Sequence, residues 1–298
     1  MSYRYLLIAL FLPFLAKANT PLATVPITVQ ENLIFFQASV NGSEPLNIMF
    51  DSGAGVTVID PGTADKLNLV ASGTARIHTS GKTVESKTFT NNELNIGGLI
   101  IEGLTIDAIP LEHLSELIGY HIDLIMGYDL FALFVLETDL DDAVLRLYDS
   151  KEFQYAGDGE RIDMFPLNQN HIAVPVEIEH KDTTMQLELT VDTGASDYMV
   201  LNNRTIKAYG LLDAIGKYRK VGGGSAEPTI TTNIRTKLQR VRIGETEWKR
   251  VPTVLTIDPI NIKSGNRSTS DGLIGQALLL DFNVVYHFSE KIMYLETR

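Results

Sequence analysis

Two short segments of the chain carry the same arrangement of reactive and flexible residues. Asp51-Ser52-Gly53 follows the apolar run Ile48-Met49-Phe50, and Asp192-Thr193-Gly194 follows Leu189-Thr190-Val191. Each sets one carboxylate between a strand-like run and a turn of small residues, with Ala54 or Ala195 next. One such tripeptide is an ordinary turn sequence. Two copies, 141 residues apart and embedded in matching surroundings, are not. Two carboxyls held close together cannot both ionise readily, so they share a proton across their working range. The ionised partner can then draw a proton from water while the protonated one hydrogen-bonds the oxygen on which charge develops. Such a pair hydrolyses a carbonyl compound without a covalent intermediate. Ser52 and Thr193 supply hydroxyls that can tie the two loops together, and Gly53 and Gly194 let backbone pass close to the carboxylates.

Something must bring the two loops face to face, and the chain supplies it by repeating a unit. Downstream of the loops, Asp123-Leu124-Ile125-Met126-Gly127 corresponds to Asp271-Gly272-Leu273-Ile274-Gly275. Each is followed by an apolar stretch and a closing strand, Val144-Leu145-Arg146-Leu147-Tyr148 and Lys291-Ile292-Met293-Tyr294-Leu295. Elsewhere, short alternating apolar runs broken by turn residues, such as Phe35 to Val40 before Asn41-Gly42, predict a β-rich chain. Helices are expected to be short, one capped by Asp60 with Pro61 at its first position and one capped by Asn202 and running toward Ala208. The polar stretch around Gly157-Asp158-Gly159 predicts a boundary. The expected division is residues 1–18 as a leader, 19–150 as a first lobe, 151–163 as a linker and 164–298 as a second lobe.

Composition narrows the partners. A net charge of −12 and a pI near 4.9 leave no basic face for phosphate contacts, so nucleic acid is not expected. The absence of cysteine removes disulfides, thiolate nucleophiles and cysteine metal sites. Six scattered histidines, His171 among them, show no metal-ligand spacing, and the acidic run Glu137 to Asp142 lacks the ligand order of a calcium loop and reads as a solvated hairpin tip. No metal or cofactor is expected. No Gly-x-Ser-x-Gly elbow occurs, and Gly222 to Gly224 lack the strand-to-helix setting of a phosphate cradle. At the amino end, Arg4, the apolar run Tyr5 to Ala16 and Ala16-Lys17-Ala18 follow the order of a cleavable secretory leader, too short and too interrupted by Pro13 for a permanent anchor. Export to a periplasm or the exterior is the expectation.

The paired loops and their matching downstream segments resemble the aspartic peptidase clan of pepsins and retropepsins. The alanine after each motif glycine and the lack of cysteine make the chain most similar to bacterial retropepsin-like proteins, here with two lobes fused. The resemblance implies an all-β bilobal fold: two closed β-barrel lobes related by a pseudo-twofold axis, with Asp51 and Asp192 as the catalytic dyad in the cleft between them. It implies that Leu124 to Gly127 and Leu273 to Gly275 cross behind the catalytic loops and that an extended polypeptide is the substrate. It also implies flaps over the cleft, for which Ser80-Gly81 and Gly222-Gly223-Gly224 are the candidates. In pepsins a hydroxyl residue follows the motif glycine and can stabilise the charged carboxylate. Alanine cannot, so this dyad is expected to titrate higher and to work at mildly acidic to neutral pH. With both aspartates in one chain, a monomer is expected. The alternative in another class is an exported peptide-binding module that keeps the groove without turnover.

Overall fold

Turn chemistry and alternation build the strands. In the first hairpin, Glu31 and Asn32 both have positive φ, 48° and 65°, the two-residue turn whose twist suits paired strands, and Gln30 pairs Leu33 across it. Gly97 and Gly98 (φ 57° and 94°) make the equivalent turn between Ile96 and Leu99. The computed structural model describes residues 20–78, 83–167, 170–215, 219–223, 231–257 and 270–298. The leader expected over 1–18, Ser80, Gly81 and Gly224 lie outside these.

The first repeat contains β1 (Ala23–Gln30), β2 (Leu33–Val40), β3 (Leu46–Phe50), β4 (Val58–Ile59), α1 (Pro61–Lys66), β5 (Gly73–His78), β6 (Thr83–Ile96), β7 (Leu99–Ala108), α2 (Glu112–Ile118), β8 (Leu124–Met126), α3 (Tyr128–Phe131), β9 (Phe134–Asp139) and β10 (Val144–Asp149). The second contains β11 (Glu160–Asp163), β12 (Phe165–Pro166), β13 (Ile172–His180), β14 (Thr183–Asp192), β15 (Met199–Leu201), α4 (Asn203–Ala208), α5 (Leu211–Ile215), β16 (Arg219–Gly223), β17 (Thr231–Ile243), β18 (Thr246–Thr256), β19 (Gly272–Gly275), α6 (Gln276–Leu279), β20 (Phe282–His287) and β21 (Ile292–Thr297). Strands β2, β3, β8, β4, β7 and β6 close into one six-stranded barrel, and β13, β14, β19, β15, β18 and β17 into another. The all-β bilobal fold is present. Both expected caps are also there: the Asp60 carboxylate accepts from the Gly62 and Thr63 amides, and the Asn202 side chain accepts from Thr205 N.

A third, fully antiparallel sheet joins the lobes in the order β1-β10-β9-β20-β21-β11. Its two halves mirror one another, three strands from each repeat, and meet where Glu137 pairs Val285. The predicted closing strands are the cores of β10 and β21. Above this sheet, Phe50 at the end of β3 packs on Phe131 and Tyr286, at ring separations of 4.6 and 5.7 Å, so one continuous core runs from the sheet to the first carboxylate loop. The stretch read as a polar linker is docked rather than free. Phe153 lies on Tyr148, Tyr155 stacks on Tyr294 at 3.7 Å, and β11 pairs with β21, because these aromatic rings cover the lower face of the sheet. The acids of 137–142 do bracket a hairpin, between β9 and β10. They are ion-paired, however: Arg146 reaches Glu137, Asp139 and Asp142 at 2.6–2.7 Å, which corrects the reading of a merely solvated tip.

Candidate active site

Asp51 and Asp192 stand just after β3 and at the end of β14. Each of these strands runs parallel to the apolar strand that passes behind its loop, with Phe50 opposite Met126 and Asp192 opposite Gly275. The Asp51 amide donates to Met126 O at 3.2 Å, so the strand crossing fixes the root of the loop. The acids that open the downstream repeats hold these crossings in place. Asp123 accepts from Asn47 N and Thr63 Oγ1, and Asp271 accepts from Glu188 N and Thr205 Oγ1, so in both lobes the same side chain ties strand to helix.

The two loops are clasped reciprocally. Ser52 N donates to Thr193 Oγ1 (2.8 Å) and Thr193 N to Ser52 Oγ (3.1 Å). Each hydroxyl in turn donates to a main-chain carbonyl of the other lobe, Ser52 to Val191 (2.8 Å) and Thr193 to Phe50 (3.0 Å). All four bonds are buried. Ser52→Ala or Thr193→Val would orphan a buried amide and a buried carbonyl, each worth about 1–3 kcal/mol. The expected result is a fall of about 3 kcal/mol in stability by chemical denaturation, whereas Ser52→Thr, which copies the other loop, stays near the parent value.

The clasp brings the carboxyls together. Asp51 Oδ1 accepts from Gly53 N (2.8 Å) and Ala54 N (3.1 Å), Asp192 Oδ1 accepts from Gly194 N (3.1 Å), and the two carboxyls stand close enough to feel each other's charge. Each sits over the glycine of the opposite loop: a methyl on Gly53 would overlap the Asp192 carboxyl, and one on Gly194 the Asp51 carboxyl. Glycine is required here by close approach. Both acids are held above the ordinary carboxylate range, chiefly by burial, and their mutual repulsion adds to it; the loop amides pull the other way.

Of the flap candidates, Gly222 and Gly223 end β16, paired with Thr232 and Thr231, so the glycine run is strand up to Gly223. Ser80 and Gly81 fall between β5 and β6, which pair up to His78 and Thr83. A second apolar cluster, separate from the main core, adjoins the Asp51 loop through half-buried Ala54 and Val56 and includes Ile77, Ile118 and Tyr120. On the other loop Arg235 lies 3.6 Å from Asp197.

Three residues near the pair escaped sequence reasoning. Asn32, at the tip of the β1–β2 hairpin, donates its side-chain amide to Ser196 O of the second loop (3.1 Å), and Asn170, at the β12–β13 tip, donates to Gly55 O of the first (3.2 Å). His171 Nε2 lies 3.0 Å from Gly53 O and, since a carbonyl only accepts, carries the proton. Asn at a hairpin turn is a readable signal; what it reaches in the other lobe is not.

Compared with known families, the chain is matched by an aspartyl protease model twice, over residues 36–130 and 174–278, and no curated relative matches it. Each matched stretch contains one of the two carboxylate loops and the strand behind it, and together they span most of both barrels. The chain therefore belongs to the aspartyl protease family, with the retropepsin-like unit present twice.

Proposed function

We propose that this protein is an exported, monomeric endopeptidase in which Asp51 and Asp192 together activate water to cleave extended polypeptide. The observation that carries the reading is the contact between two carboxyls from equivalent loops, each held above its normal titration range. In the productive state the pair holds one proton. The ionised carboxylate takes a proton from water as the oxygen attacks the scissile carbonyl, and the protonated carboxyl hydrogen-bonds the forming oxyanion. The tetrahedral species then collapses as the amine leaves with a proton from the pair, restoring the starting state. The apolar cluster beside Ala54 and Val56 supports an apolar substrate side chain on the first lobe's side of the cleft, and Asp197 with Arg235 supports a polar one on the other. Cleavage of a diverse peptide pool by the purified protein, with loss in both Asp→Asn variants, tests the reading. Saturable peptide binding without cleavage at any pH would instead support the binding-module alternative.

The raised carboxyls predict the pH profile. Activity falls on the acid side when both are protonated and on the alkaline side when both are ionised, so raising both moves the whole window upward. A maximum of kcat/KM in mildly acidic to neutral solution is expected, and a maximum below about pH 3.9, the ordinary value for aspartate, would contradict it. Ala54→Ser, which offers the loop a hydroxyl, is expected to move the acid limb downward.

A further inference from the structure

The cross-lobe contacts at the hairpin tips carry an inference that rests on the dyad reading. We propose that the first hairpin of each lobe is a positioning arm for the carboxylate loop of the other lobe, and that His171 orients and polarises the Gly53–Ala54 peptide beneath Asp51. The reciprocity is geometric. Asn32 and Asn170 occupy equivalent tips, both in the left-handed region (φ 65° and 61°), and reach Ser196 O and Gly55 O, which are themselves equivalent positions of the two loops. The left-handed backbone, which asparagine tolerates well, turns each side chain across the lobe boundary.

His171 adds something the other arm lacks. Its counterpart after Asn32 is Leu33, which is buried among apolar neighbours and has no donor. The Nε2 proton of His171 goes to Gly53 O, and the amide on the other side of that same peptide, Ala54 N–H, goes to Asp51 Oδ1. Hydrogen bonds in series through one amide strengthen each other. The histidine therefore makes Ala54 N–H a better donor to the Asp51 carboxyl, more so when that carboxyl is ionised, and fixes the plane of the peptide that carries it. It does so from the other lobe, and both its neutral Nε2–H form and its cation can serve. Among the described residues, the charged and titratable groups flanking the loops are the two carboxyls themselves, Asp129 bonded to Thr57 behind the first loop, and Asp197 with Arg235 beside the second. None of these takes the place of the His171 donor at Gly53 O.

Two variants separate positioning from bulk. His171→Leu copies Leu33 and removes the donor; His171→Gln keeps a donor at comparable reach. For His171→Leu, kcat is expected to fall about five- to tenfold, the worth of one hydrogen bond, with KM within about twofold. The acid limb of its kcat profile is expected to move upward by about half a unit, a threefold change in proton affinity. His171→Gln is expected to restore both. The titration of the aspartate carboxyl carbons followed by 13C NMR in the same three proteins gives a readout that needs no substrate. Equal losses in both variants with unmoved pH limbs, or no change in either, would overturn the proposal. Were the parent protein to cut no peptide, an upward carboxyl titration in His171→Leu alone would still support the arm while the peptidase reading failed, and unmoved titrations would sink the arm as well.

Discussion

Asparagine at position 51 or 192 is expected to lower the rate of peptide hydrolysis at least a thousandfold and, above pH 7, to make the folded protein more stable. The rate effect follows from roles that a lone carboxyl cannot fill. One group must accept the proton of water while another donates to the oxyanion, and each proton-transfer function is worth about 10²–10⁴. The stability effect follows from the raised titration of both carboxyls. A carboxyl whose folded-state pKa exceeds its unfolded value contributes stability that is present at low pH and lost as pH rises through the folded value. The wild-type protein therefore weakens toward alkaline pH, where burial and mutual repulsion oppose the second ionisation. The asparagine variants lose that repulsion, so their advantage grows with pH and vanishes near pH 4. A gain of about 1–2 kcal/mol corresponds to about 2–3 °C in Tm at this chain length. Thermal melts of the three proteins from pH 4 to 8, beside their cleavage rates, check both halves, and asparagine variants that melt below wild type at pH 8 would contradict the buried shared-proton pair.

Alanine at Gly194 is expected to cost both stability and catalytic rate. The space where its Cβ would lie is filled by the Asp51 carboxyl, and Asp51 cannot swing away without losing its bonds to Gly53 N and Ala54 N. Overpacking of this kind costs about 1–3 kcal/mol. The larger effect is on the chemistry, because a displacement of about 1 Å between reacting groups lowers rates about a hundredfold. Gly53→Ala, which drives into Asp192, is expected to behave alike. A fall in kcat of that size with KM nearly unchanged is the expected signature. Full activity in a folded Gly194→Ala protein would show that the two loops are further apart than described here.

Much of this site was legible before any coordinates. The Asp51 and Asp192 loops, the hydroxyls of Ser52 and Thr193 and the caps at Asp60 and Asn202 are local in sequence, and the repeat announced which loops belong together. Less legible was whatever depends on one lobe meeting the other. Asn32, Asn170 and His171 act at carbonyls 115 to 164 residues away, and a main-chain acceptor leaves no trace in residue identity. The docking of the stretch between the repeats was hidden for a related reason. Its composition is polar, but Phe153 and Tyr155 find their aromatic partners only after the inter-lobe sheet exists. Asp123 and Asp271 were visible as part of the repeat, yet their task of tying strand to helix becomes evident only once Thr63 and Thr205 stand beside them.

The mirrored sheet between the lobes also bears on how the chain reaches this state. Strand β9 pairs on one side with β10 and on the other with β20, and 146 residues separate Thr138 from Val284 where they meet. While the chain is being made, the first barrel can close long before that partner emerges, leaving β9 an unpaired apolar edge of the sort that recruits other chains. A first repeat produced alone would carry that edge permanently, and the surface best shaped to cover it is the same edge of a second copy. The two-lobed chain removes the hazard by tethering the partner, at the cost of a contact distant in sequence and therefore slow to form.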